Sequence, residues 1–178
     1  AQNAHGEMLG HVRDLGADTR TDHRARGYQT KLRLPFHNDS TDVVGLLCLQ
    51  KSRSGGASRI VSSGAVHNEI LARRPDLWTA LCEPFCVDRR GEESPGQHPW
   101  YVTPCFVRFE GRLFVRYNRT YIEAAQRFPQ VPRLTGAQRE ALDLMDALCD
   151  DPAFCLDMQF EPGDMQFICN YTTLHSRT

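Results

Sequence analysis

The chain lacks the long apolar run that a membrane-spanning segment requires, because none of its apolar stretches approaches about 20 residues. An excess of one sign of charge is also lacking, since 21 basic residues stand against 22 acidic ones and leave a net charge of −1. Such a balance gives no general attraction to nucleic acid or to a membrane surface. No secretory leader pattern begins the sequence. We therefore expect a cytoplasmic protein that binds neither nucleic acid nor membranes. The sequence leaves open whether the protein forms a homo-oligomer.

Paired cysteines are scarce as well. The sequence has seven cysteines, an odd number scattered along the chain. Cys82 and Cys86 are closely spaced, but no second pair completes a four-ligand zinc site. Most of the seven lie among apolar residues, as the reduced thiols of cytosolic proteins do. We expect free, largely buried thiols rather than disulfides or zinc ligands.

The length of 178 residues predicts one domain spanning 1–178, which suffices to bury about 70% of the surface of the unfolded chain. Residues 1–30 are polar and rich in arginine and glycine, which indicates an irregular lead-in. Short segments rich in β-branched and aromatic residues follow, separated by turn signals. They are 32–49, whose apolar run 43–49 predicts a largely buried strand, 58–62, 100–109, 112–117, 156–160 and 165–169.

A few segments have the periodicity of helices. They are 65–73, 77–81 and the segment that Thr135 and Gln138 open with a capping box. Glu110-Gly111 between two strand segments is a hairpin signal, and the glycine-rich, proline-rich and charged segment 89–99 indicates a loop and a candidate lid. Many short strands with few helices predict a β-sandwich or jelly roll with helices packed outside.

Two imidazoles and one carboxylate occur in short motifs near the two ends of the sequence. His37 and Asp39 lie in an extended context, where residues i and i+2 point to the same face. If the fold returns His175 to them, the three form a 2-His-1-carboxylate triad. That triad caps one face of a metal and leaves the other positions open, as in non-haem Fe(II) oxygenases.

The spacing His-x-acid is weak by itself, since chance supplies roughly one in a chain of this composition. It also occurs at His5-Gly6-Glu7 and at His67-Asn68-Glu69. The second lies in a helical pattern, where side chains two residues apart diverge by about 200° and cannot share a metal. The first lies in the polar, glycine-containing start of the chain, and termini seldom form ordered sites.

An ordered set of motifs resembles the TauD/TfdA-type (taurine dioxygenase, γ-butyrobetaine hydroxylase-like) family over roughly residues 25–178. The motifs are Leu34-Pro35-Phe36-His37-Asn38-Asp39, Ser54-Gly55-Gly56-Ala57-Ser58, Glu161-Pro162-Gly163-Asp164 and the segment Asn170 to Arg177. The set is far more specific than any single member. The resemblance implies a mainly β fold with flanking helices, a double-stranded β-helix (jelly roll) of the clavaminate synthase-like type. It also implies Fe(II) held by His37, Asp39 and His175.

The activity that the resemblance implies is an Fe(II)- and 2-oxoglutarate-dependent dioxygenase. Such enzymes use 2-oxoglutarate and O2, release succinate and CO2, and usually hydroxylate a substrate, here a small polar or carboxylate-bearing molecule. Ser58 matches a family position whose hydroxyl commonly touches the distal carboxylate of 2-oxoglutarate. The alternative interpretation of Ser58 is an ordinary turn serine.

Candidate substrate contacts follow from the same resemblance and from strand periodicity. They are Arg116, Tyr117, Asn118, Arg119 and Asn170. Arg112 and Arg116 share one strand face and can turn two guanidinium groups toward an anion, and the alternative is a solvated sheet edge. The alternative for Asn170 is that it ties down the end of its strand.

One departure from the family concerns the anchor of 2-oxoglutarate. In the family this anchor is an arginine on the strand beyond the second metal histidine, whereas the given sequence ends at Thr178. Arg177 is too close to His175 to be that arginine. We therefore expect that the family's last strand lies outside these residues and that these residues alone bind 2-oxoglutarate poorly. Whether both ends are trimmed stays open.

Two other classes of function use the same residues. A jelly-roll metal hydrolase would hold zinc with the triad and a water. A non-catalytic jelly-roll binding module would retain the motif as a relic and bind neither iron nor 2-oxoglutarate tightly.

Overall fold

The computed structural model of the protein describes residues 8–19, 21–22 and 24–178. The motif His5-Gly6-Glu7 lies outside the described residues. The strands are β1 (Leu34–His37), β2 (Val43–Leu47), β3 (Ser58–Ser62), β4 (Phe85–Asp88), β5 (Trp100–Thr103), β6 (Phe106–Phe109), β7 (Arg112–Val115), β8 (Cys155–Met158), β9 (Met165–Cys169) and β10 (Thr173–Arg177). The helices are α1 (Ser63–Arg73), α2 (Pro75–Leu81), α3 (Arg119–Ala125) and α4 (Gly136–Asp150), with a 3-10 turn at Gly27–Gln29.

The largest sheet has the strand order β1-β10-β3-β8 and is antiparallel throughout. The last strand in sequence therefore lies between two early ones. His175 of β10 is opposite His37 on one side and opposite Ile60 on the other. Leu174 and Ser176, on the alternate face of β10, are buried. Burial of that face fixes the register, because a slip by one residue would turn His175 into the core.

The remaining strands form three antiparallel pairs, β2-β9, β4-β5 and β6-β7. Glu110 and Gly111 join β6 to β7 with φ angles of 49° and 73°. Positive φ at both central residues is typical of the type I′ turn, so the predicted hairpin is confirmed. The predicted strand 100–109 is instead two strands with different partners, and Pro104 separates them. Proline has no N–H to continue a ladder, which explains the break.

Helices α1, α2 and α4 lie where their sequence signals predict, whereas α3 is a helix that the sequence interpretation missed. Thr135 and Gln138 form the capping box of α4, and Pro75 occupies the first turn of α2. Helices and strands share one apolar core. Its largest fully buried side chains are Tyr117, Phe85, Ile70, Leu77, Leu81, Ile122, Leu142, Met145, Leu174, Val61, Val66 and Val115. Among the described residues, no helix is long and apolar enough to cross a membrane.

The prediction that the run 43–49 is largely buried is wrong. Val43 and Leu47 are each 55% exposed, and their partner strand β9 exposes Phe167 by 71%. In the described part of the chain, β2 pairs with β9 alone. A run of apolar residues indicates a strand, but it does not show whether either face is covered.

The seven cysteines are free. Cys105 and Cys149 are buried, and burial raises the pKa of both thiols. The other five are not fully buried: Cys169 is exposed, and Cys48, Cys82, Cys86 and Cys155 are half-buried. The expectation of free thiols is therefore confirmed, and that of largely buried ones holds for two of the seven.

Candidate metal centre

The large sheet brings together the three residues of the predicted triad. His37 ends β1, His175 faces it from β10, and Asp39 follows β1 by two residues. One ligand atom from each lies within 4.8 Å of the other two. Asp39 Oδ1 is 3.8 Å from His37 Nε2, and Asp39 Oδ2 is 3.6 Å from His175 Nε2. Two imidazole nitrogens and one carboxylate oxygen thus converge from one side, which fits the donor set of a non-haem Fe(II) site.

The backbone fixes the tautomer of His37. Its Nδ1 lies 2.8 Å from the carbonyl oxygen of Pro35. A carbonyl only accepts, so Nδ1 carries the hydrogen and Nε2 keeps the lone pair that faces Asp39. Metal-binding histidines commonly have such a partner on the ring nitrogen away from the metal. The Nδ1 atom of His175 is buried and has no hydrogen-bond partner among the described residues.

The electrostatics of the triad favour the protonation states that bind a metal. Burial, and then the neighbouring His175, lower the pKa of His37 to about 4. Burial acts to raise the pKa of Asp39, but a hydrogen bond with His175 and the charges of His37, His175 and Arg26 lower it overall. Near neutral pH, His37 is therefore neutral and Asp39 is ionised, so neither has to lose a proton to become a ligand.

The low pKa of His37 predicts how the stability of the metal-free protein depends on pH. The pKa is about 4 when folded against 6.5 for a free side chain. Unfolding therefore takes up a proton between these values, and the free energy of unfolding falls as the pH drops through this window. The expected loss is about 3 kcal/mol. Asp39 has a pKa below its ordinary value of 3.8, so its contribution to the free energy of unfolding is lost only at pH values below this window.

Urea unfolding of the chelator-treated protein at pH 6.5 and pH 4 measures this loss. The matched control is His37→Gln, which does not titrate and should lose about 3 kcal/mol less over the same interval. An equal loss in both proteins would show that His37 is not the responsible group.

Asn38, between the two ligands of the first motif, is a site residue that the sequence interpretation missed. It is 6% exposed. Its Nδ2 donates to the carbonyl oxygens of Val115 at 2.6 Å and Asn170 at 3.0 Å, while its Oδ1 accepts from the amide of Tyr117 at 2.8 Å. The Asn38 side chain thus connects the turn that carries Asp39, here called the ligand turn, to the ends of β7 and β9. An asparagine next to a metal motif signals a turn, but its distant partners have no local signal.

Asn170 and Arg116 hold the backbone on either side of the Asp39 ligand. Asn170 is fully buried; its Oδ1 accepts from the amide of Asp39 at 3.2 Å, and its Nδ2 donates to the carbonyl oxygen of Thr41 at 2.8 Å. Arg116 donates from Nη1 to the carbonyl oxygen of Asp39 at 2.7 Å and from Nη2 to Ser40 Oγ at 3.0 Å. Both side chains position the ligand turn, and their contact with substrate stays a prediction.

The structure places the other predicted substrate residues around the start of α3. The backbone of Asn118 bridges to His37, and its side chain caps the helix. Tyr117 is 1% exposed and donates its hydroxyl to Asp146 at 2.5 Å. Arg119 pairs with the same carboxylate at 3.0 Å. Asn118 therefore lies beside the triad, whereas the side chains of Tyr117 and Arg119 meet α4; the substrate roles of all three stay predictions.

Ser58 and Arg177 are opposite each other on β3 and β10. They lie two residues from Ile60 and His175, so both are on the face of the sheet that carries His175. Arg177 donates from Nη2 to the carbonyl oxygens of Gly27, Thr30 and Leu32 at 3.2, 2.8 and 2.8 Å. Its guanidinium is thus engaged in holding the segment before β1, in keeping with the expectation that it is not the anchor of 2-oxoglutarate.

The second His-x-acid motif in the described chain does not form a metal site. His67 is 3% exposed, and its ring meets Trp78 and Phe106 edge to face, with centroids 5.8 and 5.1 Å away. Glu69 instead pairs with Arg73 one turn along α1. The helical context therefore separates the two side chains as predicted.

Comparisons with known proteins decide the family. The sequence model of the family described as "Taurine catabolism dioxygenase TauD, TfdA family" matches residues 1–178. The chain belongs to the TauD/TfdA family. It is similar to FR-33289 synthase from Streptomyces rubellomurinus, with 33% identity over 99% of this chain and 52% of that protein. It is also similar to the taurine hydroxylase-like protein SAT17 from Stachybotrys chartarum, with 27% identity over 99% of this chain and 46% of that protein.

Solved structures share the fold of this TauD/TfdA chain. An asparagine oxygenase in complex with Fe(II), 2S,3S-3-hydroxyasparagine and succinate has a TM-score of 0.61 at 22% identity, over 85% of this chain and 46% of its own. The non-heme iron oxygenase OrfP has a TM-score of 0.57 at 16% identity, over 89% of this chain and 50% of its own. The predicted jelly-roll fold is thereby confirmed. The TauD/TfdA chain spans about half the length of the curated relatives it matches.

Proposed function

We propose that the protein is an Fe(II)- and 2-oxoglutarate-dependent dioxygenase. The convergence of His37, Asp39 and His175 within 4.8 Å carries the proposal. These three residues would hold Fe(II) and leave its remaining positions available to 2-oxoglutarate and O2. Membership of the TauD/TfdA family supports the same chemistry.

In this proposal, the bound iron with 2-oxoglutarate and O2 supplies the oxidising chemistry, with succinate and CO2 as by-products. The chain supplies ligands in the right protonation state and holds them in place. The turn that carries Asp39 is fixed by Asn38, Asn170 and Arg116. A prepositioned ligand set does not have to reorganise when the metal enters, which favours tight and specific binding.

We propose a small polar molecule with a charged group as the substrate. The solved relatives hold hydroxylated asparagine or arginine, and a curated relative of 28% identity is a uridine-5'-phosphate dioxygenase. All three names refer to polar molecules that carry a carboxylate or phosphate. These names support a class of substrate for this chain and no single compound.

Anaerobic reconstitution tests the proposed function. Fe(II) and then 2-oxoglutarate are added to the protein, and the visible charge-transfer absorbance of the iron complex is recorded. Admission of O2 with a panel of amino acids and phosphate esters should then release succinate. Hydrolysis that proceeds with zinc and without O2 would favour the metal hydrolase. Absence of both metal and cosubstrate binding would identify a relic binding module.

The proposed role of Ser58 predicts a defined loss of affinity for 2-oxoglutarate. A hydrogen bond to a carboxylate contributes about 1.5–3 kcal/mol, so Ser58→Ala should raise the Kd by roughly 10- to 100-fold. Titration of the iron-loaded protein with 2-oxoglutarate measures it.

Two matched variants control the Ser58 measurement. Ser58→Thr keeps the hydroxyl and should bind like the unaltered protein. Ser54→Ala removes an exposed serine of the same glycine-rich turn and should change nothing. A Kd that is equal in Ser58→Ala and Ser54→Ala would show that the Ser58 hydroxyl does not contact 2-oxoglutarate.

A further inference from the structure

Arg90 has a backbone conformation that is rare for its residue type. Its φ is 59°, in the left-handed region, and Gly91 follows with φ of 83°. The carboxylate of Asp88 holds this turn: its Oδ1 accepts from the amide of Arg90 at 2.8 Å, and the same carboxylate pairs with Arg127. A strained non-glycine residue that its surroundings hold in place points to a function. The consequence here is that the Arg90 side chain turns inward and is 4% exposed.

Among the described residues, no carboxylate pairs directly with the buried guanidinium of Arg90, although the charge of Asp22 acts on it. Its one hydrogen bond among the described residues goes from Nη2 to the carbonyl oxygen of Ala25 at 3.3 Å, and its Nε is buried without a partner. The charged group otherwise stacks on the ring of Tyr121, 5.0 Å from the centroid. A buried cation is unfavourable unless it is paired, so an anion that binds beside Arg90 would relieve this cost.

Arg26 brings a second guanidinium to the same ring, at 5.8 Å from the centroid of Tyr121. Burial has the largest effect and lowers the pKa of Arg90; Tyr121 and Asp22 act to raise it, and the charge of Arg26 acts to lower it. The two cations therefore lie close enough to repel. Arg26 is 27% exposed and pairs at 3.3 Å with Glu92, whose side chain is 50% exposed on the loop 89–99. A half-exposed glutamate on a loop is a contact that a bound anion can displace.

The arginine pair lies next to the candidate metal centre. Tyr121 is three residues, about 4.5 Å along the axis of α3, beyond Asn118. Asn118 in turn forms a backbone bridge with His37. The charge of Arg26 contributes to lowering the pKa of Asp39, and Asp39 in turn acts to raise the pKa of Tyr121. The ring that carries both guanidinium groups is therefore within electrostatic reach of the triad.

We infer that Arg26 and Arg90 form an anion-binding pair that receives the carboxylate or phosphate-type group of the substrate beside the metal centre. Two guanidinium groups offer planar donor pairs that match these oxyanions in geometry as well as charge. Arrival of the substrate anion replaces Glu92 on Arg26 and supplies the missing partner of Arg90. The role in substrate binding rests on the proposed function, whereas the anion site itself does not.

Calorimetric titration of the metal-free protein with inorganic phosphate at low ionic strength tests the site. Phosphate should bind the unaltered protein, and Arg90→Gln and Arg26→Gln should each weaken binding at least about 10-fold, the loss expected for a charged hydrogen bond. Glu92→Gln should tighten binding because the competing carboxylate is gone. Arg108→Gln, at an exposed arginine on β6, is the matched control and should leave binding unchanged. Thermal unfolding shows which variants are folded.

No phosphate binding by the unaltered protein, or equal binding by folded Arg26→Gln, would overturn the inference. A second measurement separates this outcome from failure of the proposed function. The iron and 2-oxoglutarate absorbance should persist in Arg26→Gln and Arg90→Gln; its loss in both would assign the pair to the cosubstrate and overturn the substrate role. If the unaltered protein binds phosphate but never develops this absorbance, the proposed dioxygenase function is wrong and the anion site is still supported.

Discussion

Replacement of His37, Asp39 or His175 by alanine should lower the affinity for Fe(II) by more than about 100-fold and abolish iron-dependent succinate release. Loss of a residue that only supports a ligand costs about 10- to 100-fold in metal affinity, and loss of a ligand itself costs more. With two protein ligands left, water and buffer compete effectively for the ion. Anaerobic titration with Fe(II), followed by calorimetry, measures the affinity without dependence on turnover.

The second His-x-acid motif provides the matched control for the ligand variants. Glu69→Ala removes an acidic residue at the same spacing from a histidine, but one that pairs with Arg73 on a helix. It should retain full metal affinity. Each variant is checked by circular dichroism, because a loss of affinity is informative only in a folded protein. Metal binding that survives Asp39→Ala and disappears in Glu69→Ala would show that the triad is the wrong set.

The sequence is informative for several features that local chemistry decides, although it did not indicate α3, which Asn118 caps. The β6-β7 turn of Glu110 and Gly111 and the capping box of α4 depend only on neighbouring residues, and both predictions are confirmed. The choice of His37 and Asp39 rests on the alignment of residues i and i+2 in a strand. In the structure, β1 ends at His37, and Asp39 lies in the turn that follows. The return of His175 to them is a long-range event, and it was predicted through the resemblance of several ordered motifs rather than through any one.

Features that depend on distant partners could not be predicted in this way. The run 43–49 has the composition of a buried strand, yet Val43 and Leu47 are more than half exposed, at 55% each. The strand pattern allows Arg116 to be a substrate contact or part of a solvated sheet edge. The structure shows that it donates to the backbone of Asp39. Arg90 had no distinguishing signal in the sequence at all. Its inward position results from a turn that Asp88 holds.

Asn38→Ala should be the most destabilising single change close to the metal centre. Asn38 is 6% exposed and makes hydrogen bonds with three backbone groups, on Val115, Asn170 and Tyr117. Alanine leaves all three without that partner, at about 1–3 kcal/mol for each buried group that stays unpaired. We expect the free energy of unfolding to fall by about 3 kcal/mol or more, which lowers the Tm by roughly 6–12 °C in a chain of this size.

Because Asn38 joins the two ligands of the first motif, the same change should also reduce Fe(II) affinity by about 10- to 100-fold, as loss of a supporting contact does. Differential scanning calorimetry and anaerobic Fe(II) titration measure the two effects. Asn68→Ala, at an exposed asparagine on α1 whose side chain bonds only to the neighbouring His67 among the described residues, should cost under about 1 kcal/mol and leave iron binding intact. Asn38→Asp keeps the acceptor for Tyr117 but cannot donate to the two carbonyl oxygens, so it should be at least as damaging as alanine at neutral pH. If Asn38→Asp were as stable as the unaltered protein, the two donated hydrogen bonds would not be what holds the ligand turn.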